Sequence, residues 1–182
     1  DESADGEFVR DSYLVESDMW AKRGNDAEAM KALQRGLAIF EDDPLLLYGR
    51  AMQHVNQNRI SQALADLKKI IDDNDQNAEA LNAYGYTLAQ HKRQYDQALP
   101  YIEKAMKLRP GSASTMDSLG WIKFMQRKYD EAQHWLEKAW HRSKDAEIAA
   151  HLGEVYWVRG LKDDARKVWS HGQAIDPDYS PW

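Results

Sequence analysis

Cysteine is absent from all 182 residues, which removes disulfides and thiolate metal sites and leaves the redox compartment open. No apolar run approaches the ~20 residues that a helix needs to cross a bilayer. Glycine-rich phosphate loops are missing, and so is the G-x-S-x-G nucleophile pattern; the glycines sit at helix-packing and turn positions. The histidines form no H-E-x-x-H pair, and His134 and His141 stand two helical turns apart, too far for the usual i, i+4 metal pairing. Basic residues are outnumbered, 24 to 30, giving a formal charge of −6. That balance argues against nucleic acid as the main partner and supplies no polybasic patch for a membrane. Carboxylates fall on solvent faces and helix starts, where the macrodipole favours them. The residues therefore predict no catalytic group, no cofactor and no metal site.

What is there is a period. Residues 78–112 read as two amphipathic helices joined by a polar turn. Leu81, Tyr84, Gly85 and Leu88 share one face of the first helix, and Ala98, Ile102 and Ala105 share one face of the second. Small residues at facing positions let the two axes approach closely, and Pro110 closes the unit. Counting outward gives units at 10–43, 44–77, 78–112, 113–145 and 146–179, of 34, 34, 35, 33 and 34 residues. The second helix carries alanine every time, at Ala29, Ala63, Ala98, Ala132 and Ala165. The first helix carries Ser17, Ala51, Gly85, Gly120 and Gly153 at its own small position. Asp43, Asn77, Ser112 and Asp145 precede units two to five as N-caps. Asn25 with Glu28 forms a capping box for the second helix of unit one.

This pattern resembles the tetratricopeptide repeat, most fully in units three to five through Leu81/Tyr84-Gly85/Leu88/Tyr95/Ala98, Leu119-Gly120/Tyr129/Ala132 and Leu152-Gly153/Tyr156/Ala165/Pro177. The resemblance implies an all-α fold, a right-handed α-solenoid of about five helix–turn–helix repeats over 10–179. Residues 1–9 read as a polar, frayed lead-in and 180–182 as a C-terminal tail; either Trp182 folds back over the last repeat or a partner covers that end. Units one and two depart from the pattern, with Glu16 and Arg50 where a large apolar residue is usual. Unit three has one extra residue in its turn, at 91–94.

In this repeat a stripe of first-helix positions lines a concave groove. Here it yields Leu45, Tyr48, Met52 and Val55, then Glu79, Asn82, Tyr86 and Gln90. Unit four contributes Ser114, Asp117, Trp121, Phe124 and Met125, and unit five Glu147, Glu154, Trp157 and Val158. Tyr48, Met52, Asn82, Tyr86, Asp117, Trp121, Phe124, Glu154 and Trp157 are the candidate peptide-binding residues. Rings supply contact area and amides meet a ligand backbone; the alternative is that the rings pack on neighbouring helices. The lysines and asparagines of a carboxylate clamp are not repeated, since position five is Tyr48, Asn82, Asp117 and Ala150.

LNAYGYTLAQ, TMDSLGWIKF and DAEIAAHLGEVYWVRG are similar to the C-terminal repeats of bacterial outer-membrane tetratricopeptide lipoproteins. One member is the adaptor of a periplasmic carboxy-terminal processing protease. That likeness implies a non-catalytic scaffold facing the periplasm that presents substrates to the protease, with a lipid anchor upstream of Asp1. The chain opens on Asp rather than Met, which reads as a piece of something longer. The alternative is a structural segment of a longer array that self-associates or joins a cell-envelope assembly.

Overall fold

A computed structural model describes residues 2–179, with side chains from residue 5. Among the described residues there are ten helices and no strand. They are α1 (Glu2–Lys22), α2 (Asp26–Ile39), α3 (Pro44–Asn56), α4 (Ile60–Asp73), α5 (Ala78–Lys92), α6 (Tyr95–Leu108), α7 (Ala113–Met125), α8 (Tyr129–Arg142), α9 (Ala146–Val158) and α10 (Lys162–Ile175). Each odd-numbered helix is followed, after a short turn, by an even-numbered one. None of the helices among the described residues is long and apolar enough to cross a membrane. The chain divides into two compact units, residues 1–87 and 88–182.

Helix α1 differs from expectation. It starts at Glu2, so residues 2–9 are helical rather than a frayed lead-in. The acids Asp5 and Glu7 favour a helix start by their charge near its N-terminus. The tail 180–182, with Trp182, lies outside the described residues.

The expected caps form as side-chain hydrogen bonds. Asp43 accepts from the amides of Leu45 and Leu46 at 3.0 Å each, and Asn77 from Ala80 at 3.0 Å. Ser112 accepts from Thr115 at 3.2 Å, and Asp145 from Glu147 at 2.9 Å. Asn25 accepts from Glu28 at 3.3 Å. The odd-to-even turns use backbone instead. The amides of Asn25, Arg59, Lys128 and Leu161 each donate to the carbonyl five residues back. In the turn with the extra residue the closure spans six, from Gln94 to Leu88.

In the first unit α1 packs on α2, α2 on α3, and α3 on α4. Ala29, Ala51 and Ala63 are wholly buried among Leu33, Leu46, Leu47, Leu67 and Ile70. Both charged departures are paired: Glu16 accepts from Arg35 at 2.5 Å, and Arg50 donates to both oxygens of Asp66 at 2.8 and 2.7 Å.

In the second unit α6, α7, α8, α9 and α10 pack successively. Ala98, Ala132 and Ala165 are again wholly buried. The five alanines of the repeat thus share one environment, a Cβ with no solvent contact. Glycine is required at two of the facing positions, 120 and 153. A Cβ on Gly120 would lie 2.6 Å from Leu136 Cγ, and one on Gly153 would overlap the indole of Trp169. These approaches leave no room for a methyl group.

Candidate functional site

Residues three and four apart on α3, α5, α7 and α9 fall on one stripe of each helix. In the first unit, Tyr48, Met52, Asn82 and Tyr86 are half-buried, while Leu45 is exposed. Burial raises the Tyr48 hydroxyl above its ordinary pKa, and the carboxylate of Glu79 adds to the shift. That coupling sets the α3 stripe beside the start of α5. Asn82 contributes a specific feature. Its side-chain carbonyl oxygen Oδ1 is shut off from solvent and has no hydrogen-bond partner in the protein. A buried acceptor left unpaired costs about 1–3 kcal/mol.

In the second unit the stripe is organised around a buried ion pair. His151 Nδ1 lies 2.9 and 3.0 Å from the two carboxylate oxygens of Asp117. Burial alone would lower the imidazole's pKa, but the charge and hydrogen bond of Asp117 outweigh it and the net shift is upward. Trp121 stacks on His151 with ring centroids 4.0 Å apart and planes 15° from parallel. It also stacks on Phe124 at 4.8 Å, and its indole N–H donates to Gln90 Oε1 at 2.8 Å. Asp117, expected as an open groove acid, is instead engaged by His151. Phe124 packs against the core formed by Ala132, Leu136, Ala149, Leu152, Val155 and Val168.

Glu154 and Trp157 are exposed. Lys162 Nζ sits 3.5 Å from the centroid of the Trp157 ring, a cation–π contact, and the Trp169 ring lies 5.6 Å away. Beyond α10, Tyr179 is half-buried. Its hydroxyl is raised by burial and then by the carboxylates of Glu147, Asp117, Asp145 and Asp176, which places it beside the same acidic group. Asp117, Glu147 and His151 each offer one ligand atom within 4.8 Å of the others, the set that a divalent cation would use.

His151 is the residue that sequence reasoning passed over. The signal was a spacing: His151 follows Asp117 by 34 residues, one repeat length, so neighbouring first helices bring them level. A search for i, i+4 pairs looks along one helix and misses a pair formed between two.

The tetratricopeptide repeat family matches residues 76–139. The chain is 40% identical over 142 residues to the TPR repeat-containing protein PA4667 of Pseudomonas aeruginosa, covering 78% of this chain and 24% of that one. It is 29% identical over 136 residues to the type IV pilus assembly protein PilF of the same organism, covering 72% and 52%. The chain thus spans about a quarter of the length of the first relative and about half of the second. Among solved structures, TTC0263, a thermophilic TPR protein of Thermus thermophilus, superposes with a TM-score of 0.81 at 19% identity, covering 93% of each chain. That likeness shows the fold, all-α with helix pairs of the tetratricopeptide type. Repeat spacing, fold and relatives together make the chain a tetratricopeptide repeat protein, related to PA4667 and PilF.

Proposed function

We propose that the chain is a non-catalytic adaptor that holds polypeptide against its first-helix stripes and presents it to a periplasmic carboxy-terminal processing protease. The observation that carries polypeptide capture is the orphaned Oδ1 of Asn82 on a stripe of half-buried Tyr48, Met52 and Tyr86. Turned outward, the half-buried Asn82 amide accepts one backbone N–H of an extended ligand while the rings cover its side chains. The protease as partner is supported by the likeness of LNAYGYTLAQ and TMDSLGWIKF to the adaptor lipoproteins. A location on the periplasmic side of the outer membrane, through a lipid anchor upstream, belongs to the same reading. The test is reconstituted degradation of a cell-wall hydrolase by the protease, with and without the chain. Acceleration by the chain, lost in Trp121→Ala/Tyr86→Ala at unchanged helicity, is the expected result; equal rates throughout would sink the proposal.

A second reading has its own support. On α1, Phe8 is 77% exposed and Val15 68%, and Met19 continues the same stripe, leaving an apolar face of the kind that joins an assembly. Here the chain is a structural segment that self-associates, and the relevant measurement is sedimentation over a range of concentrations. A monomer throughout would remove this alternative.

A further inference from the structure

Helix α1 is built unlike the other described helices. It runs for 21 residues where they run for 13 to 15, and its extra turns carry Phe8, 77% exposed. Its buried face, centred on Ser17, packs on α2 and α3. The opposite face holds Phe8, Ser12, Val15, Met19 and Lys22, all exposed, at steps of four, three, four and three. That is the heptad spacing of a helix that meets another helix along a seam. Later repeats show what the position of Met19 is for. Its equivalents Gln53, Thr87, Ile122 and Val155 are all buried, and Val155 shares a core with Ala132 and Leu136 of the preceding second helix, α8. On α1 the same position is open to solvent. The seam also changes sign along its length, with Asp5 seven residues before Ser12 and Lys22 seven after Val15.

We infer that α1 is a dimer interface, with α1 of a second copy lying antiparallel along this seam about a twofold axis between Ser12 and Val15. In that register Phe8 meets Met19 of the second copy, Ser12 meets Val15, and Asp5 meets Lys22, each pair formed twice. Small and β-branched side chains stand at the centre, large apolar ones outside them, and opposite charges at the ends. Antiparallel packing also sets each helix's N-terminus beside the other's C-terminus, the favourable order for their dipoles. A parallel pair would instead place Asp5 on Asp5 and Lys22 on Lys22. Asp11 and Asp18 approach each other across the seam, but each has a cation at 2.7 Å in its own helix, Arg10 and Lys22. Lys22 carries three donors and its side chain is 75% exposed, so it reaches Asp5 of the second copy while keeping Asp18. The inference rests on the self-association reading above and adds the face, the partner and the register.

The experiment uses the full chain, first in sedimentation velocity over a range of concentrations. Parent chain is expected to dimerise, and Phe8→Glu/Val15→Glu, both at exposed positions, to raise the dissociation constant about tenfold or more at unchanged helicity. The absence of cysteine lets introduced thiols report the register. Asp5→Cys and Lys22→Cys chains, mixed and gently oxidised, are expected to form a mixed disulfide dimer. Neither chain is expected to link to itself, because equal positions lie ~25 Å apart along the antiparallel pair. A monomer at every concentration overturns the inference together with the self-association reading. A dimer that persists in Phe8→Glu/Val15→Glu overturns the assignment to α1 and leaves self-association standing. A dimer lost in that variant whose thiols link like to like, or do not link in the mixture, overturns the antiparallel register.

Discussion

Trp121 lies flat on His151, so the indole covers an imidazole whose Nδ1 is held by Asp117. The pair makes stability depend on pH in a definite sense. The largest influence on His151 is burial, which lowers its pKa; the charge and hydrogen bond of Asp117, with Glu147 and Asp145 behind them, overcome it and raise the folded value. A folded pKa above the unfolded value of about 6.5 adds stability below that pH, lost as pH rises through the folded pKa. Urea unfolding at about pH 5 and about pH 9 is expected to show a loss at the higher pH that His151→Gln does not share. In Asp117→Asn burial is less opposed, and the slope contributed by His151 flattens or reverses. A wild-type slope equal to that of His151→Gln would show that the pair is not linked to folding.

Arg50 occupies a position that is Leu119 and Leu152 in later repeats, and it is held there by Asp66. Removing one partner strands the other. Asp66→Ala is expected to cost about 2–3 kcal/mol, because the guanidinium loses two charge-assisted bonds in a half-buried site. Arg50→Leu/Asp66→Leu restores the apolar contact of the other repeats and is expected to recover most of that loss. Denaturant titration of the three chains gives the coupling directly. Additive costs, with no recovery in the double variant, would mean that the two side chains stabilise the fold independently.

The repeat was legible because its signals are local and periodic. Alanine at 29, 63, 98, 132 and 165 could be read without structure, since only a small side chain fits where two helix axes come close, and all five are buried. The caps Asp43, Ser112 and Asp145 were legible for the same reason, a side chain acting on amides two or three residues away. The site was legible only as a stripe. Asp117 looked available because its partner His151 lies in the next repeat, and Glu16 and Arg50 looked like defects because Arg35 and Asp66 sit on another helix. Pairs made between helices leave no mark within one helix.

Each odd-to-even turn contains one residue with positive φ, at Gly24, Asn58, Arg93, Arg127 and Gly160. Glycine adopts that conformation without strain, whereas a side chain with a Cβ meets its own carbonyl. Arg127, with φ of 62°, therefore carries strain that Gly160, at 83°, does not. Arg127→Gly is expected to raise stability by about 0.5–1 kcal/mol, and Gly160→Ala to lower it by a similar amount. Thermal melts of the two variants test the pair. A destabilised Arg127→Gly would mean that the arginine side chain stabilises more than its backbone strain costs.

Asn82 separates a residue kept for folding from one kept for binding. Its amide contributes an acceptor that the protein leaves unpaired, so in the free chain it is a liability. Asn82→Ala removes the unpaired carbonyl along with some packing, and its unfolding free energy is expected to stay within about 1 kcal/mol of the parent. Capture of an extended peptide behaves differently, since the ligand's backbone N–H loses its acceptor. The variant is expected to bind about three- to tenfold more weakly, the loss of one hydrogen bond of about 0.5–1.5 kcal/mol. Asn82→Asp keeps an acceptor but adds charge beside Glu79, and repulsion between the two should make its peptide affinity sensitive to salt. A chain in which Asn82→Ala unfolds much more easily and binds peptide as before would make this side chain a structural one, and the first unit's stripe would lose the feature that marks it for a ligand.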